Sequence, residues 1–125
     1  MTENELSNII IGEAINVHQS LGPGLLESVY ETCLVHRLFK MGLAIETQKP
    51  IPLIFEEVRL ECGFRCDIIV ENKVIIEVKA IEALNDVHLA QVLTYLKLTN
   101  TKLGLLMNFN VLKMKDGIKR VVNNL

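Results

Sequence analysis

No apolar run in this 125-residue sequence approaches the roughly 20 residues that a membrane-spanning helix needs. The N-terminus, Met1-Thr2-Glu3-Asn4-Glu5, is acidic where a signal peptide is basic. A cytoplasmic chain without a membrane partner is therefore expected. Cysteine is scarce and odd in number: Cys33, Cys62 and Cys66 show no Cys-x-x-Cys spacing. They read as reduced thiols, with Cys33 and Cys66 in the core, and a metal site from Cys62 and Cys66 would lack further soft ligands. The sequence has no glycine-rich phosphate loop and no Gly-x-Ser-x-Gly, which argues against nucleotide chemistry of the P-loop kind and against a serine nucleophile. No internal repeat, low-complexity stretch or linker breaks the chain. A general excess of positive charge is also missing, since the net charge is -2.

What remains is 50% hydrophobic, enough for one compact domain spanning residues 1–125. Charge is unevenly spread. Residues 97–125 hold six basic groups against Asp116 alone, a balance of +5, whereas residues 1–96 balance at −7. A basic C-terminal region suits phosphates across an acidic site, and it equally suits a solvated, lysine-rich sheet edge.

The most informative stretch is Arg65 to Ala80. Two β-branched runs flank Glu71-Asn72-Lys73 and predict a β-hairpin. A three-residue loop pairs Val70 with Val74, Ile68 with Ile76 and Cys66 with Val78, and leaves one face wholly apolar. The other face then carries Ile69, Ile75, Asp67 opposite Glu77, and Lys79 beside Arg65. Opposed carboxylates repel unless a cation lies between them. Hard oxygen ligands at that spacing suit Mg²⁺ or Mn²⁺. A solvated charge ladder of Glu77, Lys79 and Arg65 is the competing explanation.

Asp67 followed by Glu77-Val78-Lys79 resembles the PD-(D/E)XK nuclease superfamily, although Cys66 stands where the proline of that name would be. Gly24-Leu25-Leu26-Glu27-Ser28-Val29-Tyr30 resembles the signature of the GxxExxY proteins, a family within that superfamily. Leu21-Gly22-Pro23-Gly24, Gln48-Lys49-Pro50-Ile51-Pro52, His88 with Gln91 and Tyr95, Asn108-Phe109-Asn110 and Lys115 to Val121 extend the resemblance over nearly the whole chain. It implies a restriction-endonuclease-like α/β core, a mixed β-sheet flanked by helices. It also implies a metal site from Glu27, Asp67 and Glu77 with the Val78 carbonyl. Lys79 would assist attack on a phosphodiester, and Gln91 and Tyr95 would touch substrate or the water shell.

Along the chain, Thr2 or Asn4 caps a first helix, and Thr2 with Glu5 has capping-box spacing. Leu6, Ile9, Ile10, Ala14, Val17 and Leu21 form its apolar stripe. A second helix is predicted from Pro23 to Met41, with Glu27 sharing a face with Tyr30, Leu34 and Leu38. Short strands follow at Ala44–Lys49, Ile51–Phe55 and Val58–Cys62, with a bend at Gly63. Asn85 caps a third helix ending near Leu98, on which His88, Gln91 and Tyr95 form a polar row. Lys102–Phe109 reads as a buried strand parallel to a neighbour, and Ile118–Val122 as the last strand.

The expected function is metal-dependent hydrolysis of nucleic-acid phosphodiesters, DNA preferred to RNA, by a monomer or a homodimer. The alternative is a non-catalytic nucleic-acid- or protein-binding module on the same fold.

Overall fold

A computed structural model describes all of residues 1–125. Helix α1 (Glu3–Leu21) is followed by α2 (Glu27–Lys40), β1 (Ile45–Phe55), β2 (Val58–Val70) and β3 (Val74–Lys79). Then come α3 (Asp86–Thr99), β4 (Leu103–Asn108), a 3₁₀ turn (Met114–Gly117) and β5 (Ile118–Val122). The strands form one sheet in the order β1-β2-β3-β4-β5, antiparallel except for β3 against β4. That parallel pair is joined through α3, the crossover a parallel connection requires.

Alternation along β3 assigns the layers. Val74, Ile76 and Val78 join Ile68 and Val70 of β2 in a core with Leu6, Ile10, Ala14, Tyr30, Leu34 and Leu38. Ile75 and Ile69 point the other way and pack with Val92 and Leu96 of α3 and Leu106 of β4. The sheet is thus sandwiched, α1 and α2 on one side and α3 on the other, as the expected mixed α/β architecture requires. Gly104 lets α3 sit close, because a Cβ there would lie 2.6 Å from Cγ1 of Val92.

The hairpin pairs Val70 with Val74 and Ile68 with Ile76 as predicted, but the expected pairings of Cys66 with Val78 and Asp67 with Glu77 do not form, because the two strands part beyond Ile68 and Ile76. Glu71 and Asn72 take left-handed conformations in the loop. The Thr2 capping box with Glu5 forms, and Asn85 caps α3.

Four expectations need correction. Helix α2 starts at Glu27 and not at Pro23, because Gly22 and Gly24 have φ of +70° and +95° and hold the chain outside the helix. The Tyr30 hydroxyl secures that loop, donating to the Gly22 carbonyl (2.6 Å) and accepting from the Leu25 amide (3.1 Å). The two pieces predicted around Pro50 are one continuous β1, which can hold prolines because it lies at the sheet edge. Gly63 does not bend the chain; it lies inside β2 where a Cβ would sit 2.5 Å from that of Leu53. Cys66 packs with the α3-side cluster and not with Ile68 and Val78, because strand alternation breaks beside it; Cys33, half-buried, does pack against the main core.

Candidate functional site

The site sits where two paired strands part. β2 and β3 pair as far as Ile68 and Ile76. Beyond that point β2 continues against β1, with Cys66 opposite Lys49, and β3 continues against β4, with Glu77 opposite Leu106. Asp67 fills the fork: its Oδ2 accepts the Val78 amide at 2.9 Å, a side chain standing in for a missing ladder bond. The ladder on the β1 side breaks as well, passing from Thr47–Ile68 to Lys49–Cys66 without pairing Gln48. Gln48 adopts φ +48° there, a conformation that costs a side-chain-bearing residue about 1–2 kcal/mol. Its Nε2 donates to Asp67 Oδ1 (3.2 Å) and to both oxygens of Glu31 (2.9 and 3.1 Å).

Glu77 is 4% exposed, and its Oε1 is buried without a hydrogen-bond partner. Burial first, then hydrogen bonding with Asp67 and the charge of Asp67, push its carboxyl up to about 9. Lys79 and the Asp67 backbone pull the other way and lose. The Cys66 thiol is likewise pushed up to about 12, by burial and then by Glu77 and Asp67. Tyr95 stacks on Phe64 with ring centroids 4.1 Å apart. Burial raises its hydroxyl pKa, and the charges of Glu77, Cys66 and Asp67 add to that. Glu31 is also raised, by burial and by the neighbouring charges of Asp67 and Glu27, against the lowering effect of Gln48.

A family model described as the PD-(D/E)XK nuclease superfamily matches residues 4–121. The chain belongs to that superfamily. No curated protein and no solved structure matches it.

In this PD-(D/E)XK domain, the structure brings Asp67, Glu77 and Lys79 to one end of the hairpin. Lys79 is half-buried and follows Glu77 on the same strand face. The chain after it is clamped. Asn108, 2% exposed, donates to the Ile81 carbonyl (3.0 Å) and accepts the amides of Ile81 (3.1 Å) and Asn110 (3.2 Å). The Phe109 amide donates to the Lys79 carbonyl at 2.9 Å. Tyr95 joins the group, and Gln91 stands exposed one turn earlier on α3. His88 is absorbed in capping, its Nδ1 accepting the Asn85 amide at 3.0 Å.

Glu27 lies exposed at the first turn of α2, one turn before Glu31. Glu31, not Glu27, is the helix carboxylate linked to Asp67. No group of three or more His, Cys, Asp or Glu side chains is gathered closely enough to hold a metal, so the expected convergence of three acids reduces to two. Those two still fit Mg²⁺, which binds through one or two carboxylates and keeps several waters. The orphaned Glu77 oxygen beside Asp67 is the donor such an ion would use.

Sequence reasoning gave no role to Gln48, Glu31 or Asn108. Gln48 and Asn108 lay within segments noted for their resemblance, but nothing local marks their side chains. A cavity of about 740 Å³ lies elsewhere, between α1 and α2, lined by Gln19, Ser20, Cys33, His36 and Arg37 among others. No helix is long and apolar enough to cross a membrane.

Proposed function

We propose that this domain is a divalent-metal-dependent nuclease of the GxxExxY type that hydrolyses phosphodiester bonds, DNA preferred to RNA. The observation that carries the reading is the buried, partnerless Glu77 oxygen beside Asp67, with Lys79 two residues on. The GxxExxY assignment is supported by the work of its three residues. Gly24 turns the chain with φ +95°, Glu27 opens α2, and Tyr30 closes the loop between them.

Asp67, Glu77 and the Val78 carbonyl are the proposed holders of Mg²⁺ or Mn²⁺, with Glu27 as the outer carboxylate. When bound, the ion supplies a Lewis acid and lowers the pKa of water. Glu77 surrenders the proton that burial otherwise gives it. Asp67 is held in place by the Val78 amide and Gln48. Lys79 directs its ammonium at a phosphate oxygen or the attacking water, and Gln91 and Tyr95 order substrate from α3. The free thiols Cys33, Cys62 and Cys66 accord with a cytoplasmic location.

Incubation with DNA and RNA in Mn²⁺ or Mg²⁺ tests this. Asp67→Ala and Lys79→Ala should each lower cleavage by about 100-fold or more. Equal cleavage by wild type and both variants would identify a contaminant. A Mn²⁺ titration followed by EPR tests the holders, Glu27→Ala included. The second reading, a non-catalytic binding module, draws support from the lack of any group of three or more His, Cys, Asp or Glu side chains able to hold a metal. It predicts nucleic-acid binding without turnover under the same conditions. A homodimer belongs to the proposal too, supported by exposed Ile54, Phe55 and Val58 at the tip of the β1–β2 pair. Light scattering that returns a monomer at working concentration removes it.

A further inference from the structure

Asp67 has to be aimed, because the strand that carries it is unpaired at that position on both sides. Toward β3 it spends Oδ2 on the Val78 amide, and toward β1 its Oδ1 meets Gln48. A carboxylate only accepts, so the Gln48 atom between Asp67 and Glu31 must be the amide nitrogen, with its two N–H bonds divided between them. Glu31 takes the second share at 2.9 and 3.1 Å, and α2 anchors Glu31. Glycine would adopt φ +48° without steric cost, yet the position holds a glutamine whose side chain makes all three contacts.

We propose that Gln48 is a positioning residue that ties Asp67 to Glu31 and so holds the Asp67 carboxylate against the Val78 amide. Helix α2 is thereby coupled to the strand fork through one amide group. Glu31 makes no hydrogen bond to Asp67 itself and anchors it by way of Gln48. The consequence for cation binding rests on the proposed function; the anchoring of Asp67 does not.

The test is amide hydrogen exchange in the metal-free protein, read by NMR. Gln48→Gly keeps the left-handed backbone and deletes the amide, so it separates side-chain loss from strain. It should speed exchange at Val78 about tenfold, with Ile76 and Leu105 unchanged. Glu31→Ala should give a smaller rise, and the double variant should match Gln48→Gly alone. Unchanged Val78 exchange in Gln48→Gly, or additive effects of the two substitutions, would overturn the proposal. In parallel, Gln48→Gly should weaken Mn²⁺ binding about tenfold by EPR. If wild type binds no Mn²⁺, the metal reading fails while Val78 exchange still decides the role of Gln48. If wild type binds Mn²⁺ and Gln48→Gly changes neither affinity nor exchange, the role of Gln48 fails and the metal reading stands.

Discussion

The two faces of β3 begin alike and end as opposites. Toward α1 and α2, Val74, Ile76 and Val78 are all fully buried aliphatics. Toward α3 the strand presents Ile75, then Glu77, then Lys79. Both faces exclude water, since Glu77 on the second is only 4% exposed. The first face gains stability from burial, and the second accepts a cost. Desolvation disfavours the Glu77 charge, and the neighbouring Asp67 adds to the effect.

The comparison breaks hardest on the aliphatic face. Ile76→Ala, at a fully buried position, should destabilise the fold by about 3 kcal/mol in urea denaturation. A loss below about 1 kcal/mol would mean that this face is loosely packed. On the α3 face, Gly104→Ala would press a methyl into Cγ1 of Val92, 2.6 Å away. The expected cost is about 2 kcal/mol, partly recovered when combined with Val92→Ala.

The acidic end should respond with the opposite sign. In metal-free protein, Glu77 titrates at about 9 folded against about 4.5 in the unfolded chain. The folded state therefore binds the extra proton between those values. The group's contribution is fully present below pH ~4.5 and is lost as pH rises toward ~9. Wild-type melting temperature should fall across that window. Glu77→Gln should flatten the slope and raise the melting temperature at pH 8 by roughly 3 °C. A steeper slope in the variant would contradict the assignment. The smallest effect belongs to the outer tip of the β1–β2 pair, where Phe55 is 68% exposed. In the monomer, Phe55→Ser should change stability by no more than about 0.5 kcal/mol, and a larger, concentration-dependent loss would place this tip in the proposed dimer contact.

Much of this was legible locally. The register of the central hairpin near its loop follows from β-branched alternation around Glu71-Asn72-Lys73, since a slip would mix the two faces. Thr2, Glu5 and Asn85 announce their helix starts because capping needs only neighbours in sequence. Pro23 misled because the preference for proline in a first helical turn is outweighed here by two left-handed glycines and a hydroxyl from Tyr30. Cys66 misled because alternation assumes an unbroken ladder, and the ladder is broken at its neighbour Asp67.

Sequence alone determined the order of helices and strands, the hairpin register next to its loop and the placing of Asp67, Glu77 and Lys79 near one another, because periodicity and capping act over a few residues. Only the tertiary structure decided that Glu31 rather than Glu27 is tied to Asp67, that Gln48 is the link, and that Asn108 secures the chain after Lys79. Those contacts join α2, β1, β2 and β4, and side chains from distant segments meet only when packing fixes the angles between their elements.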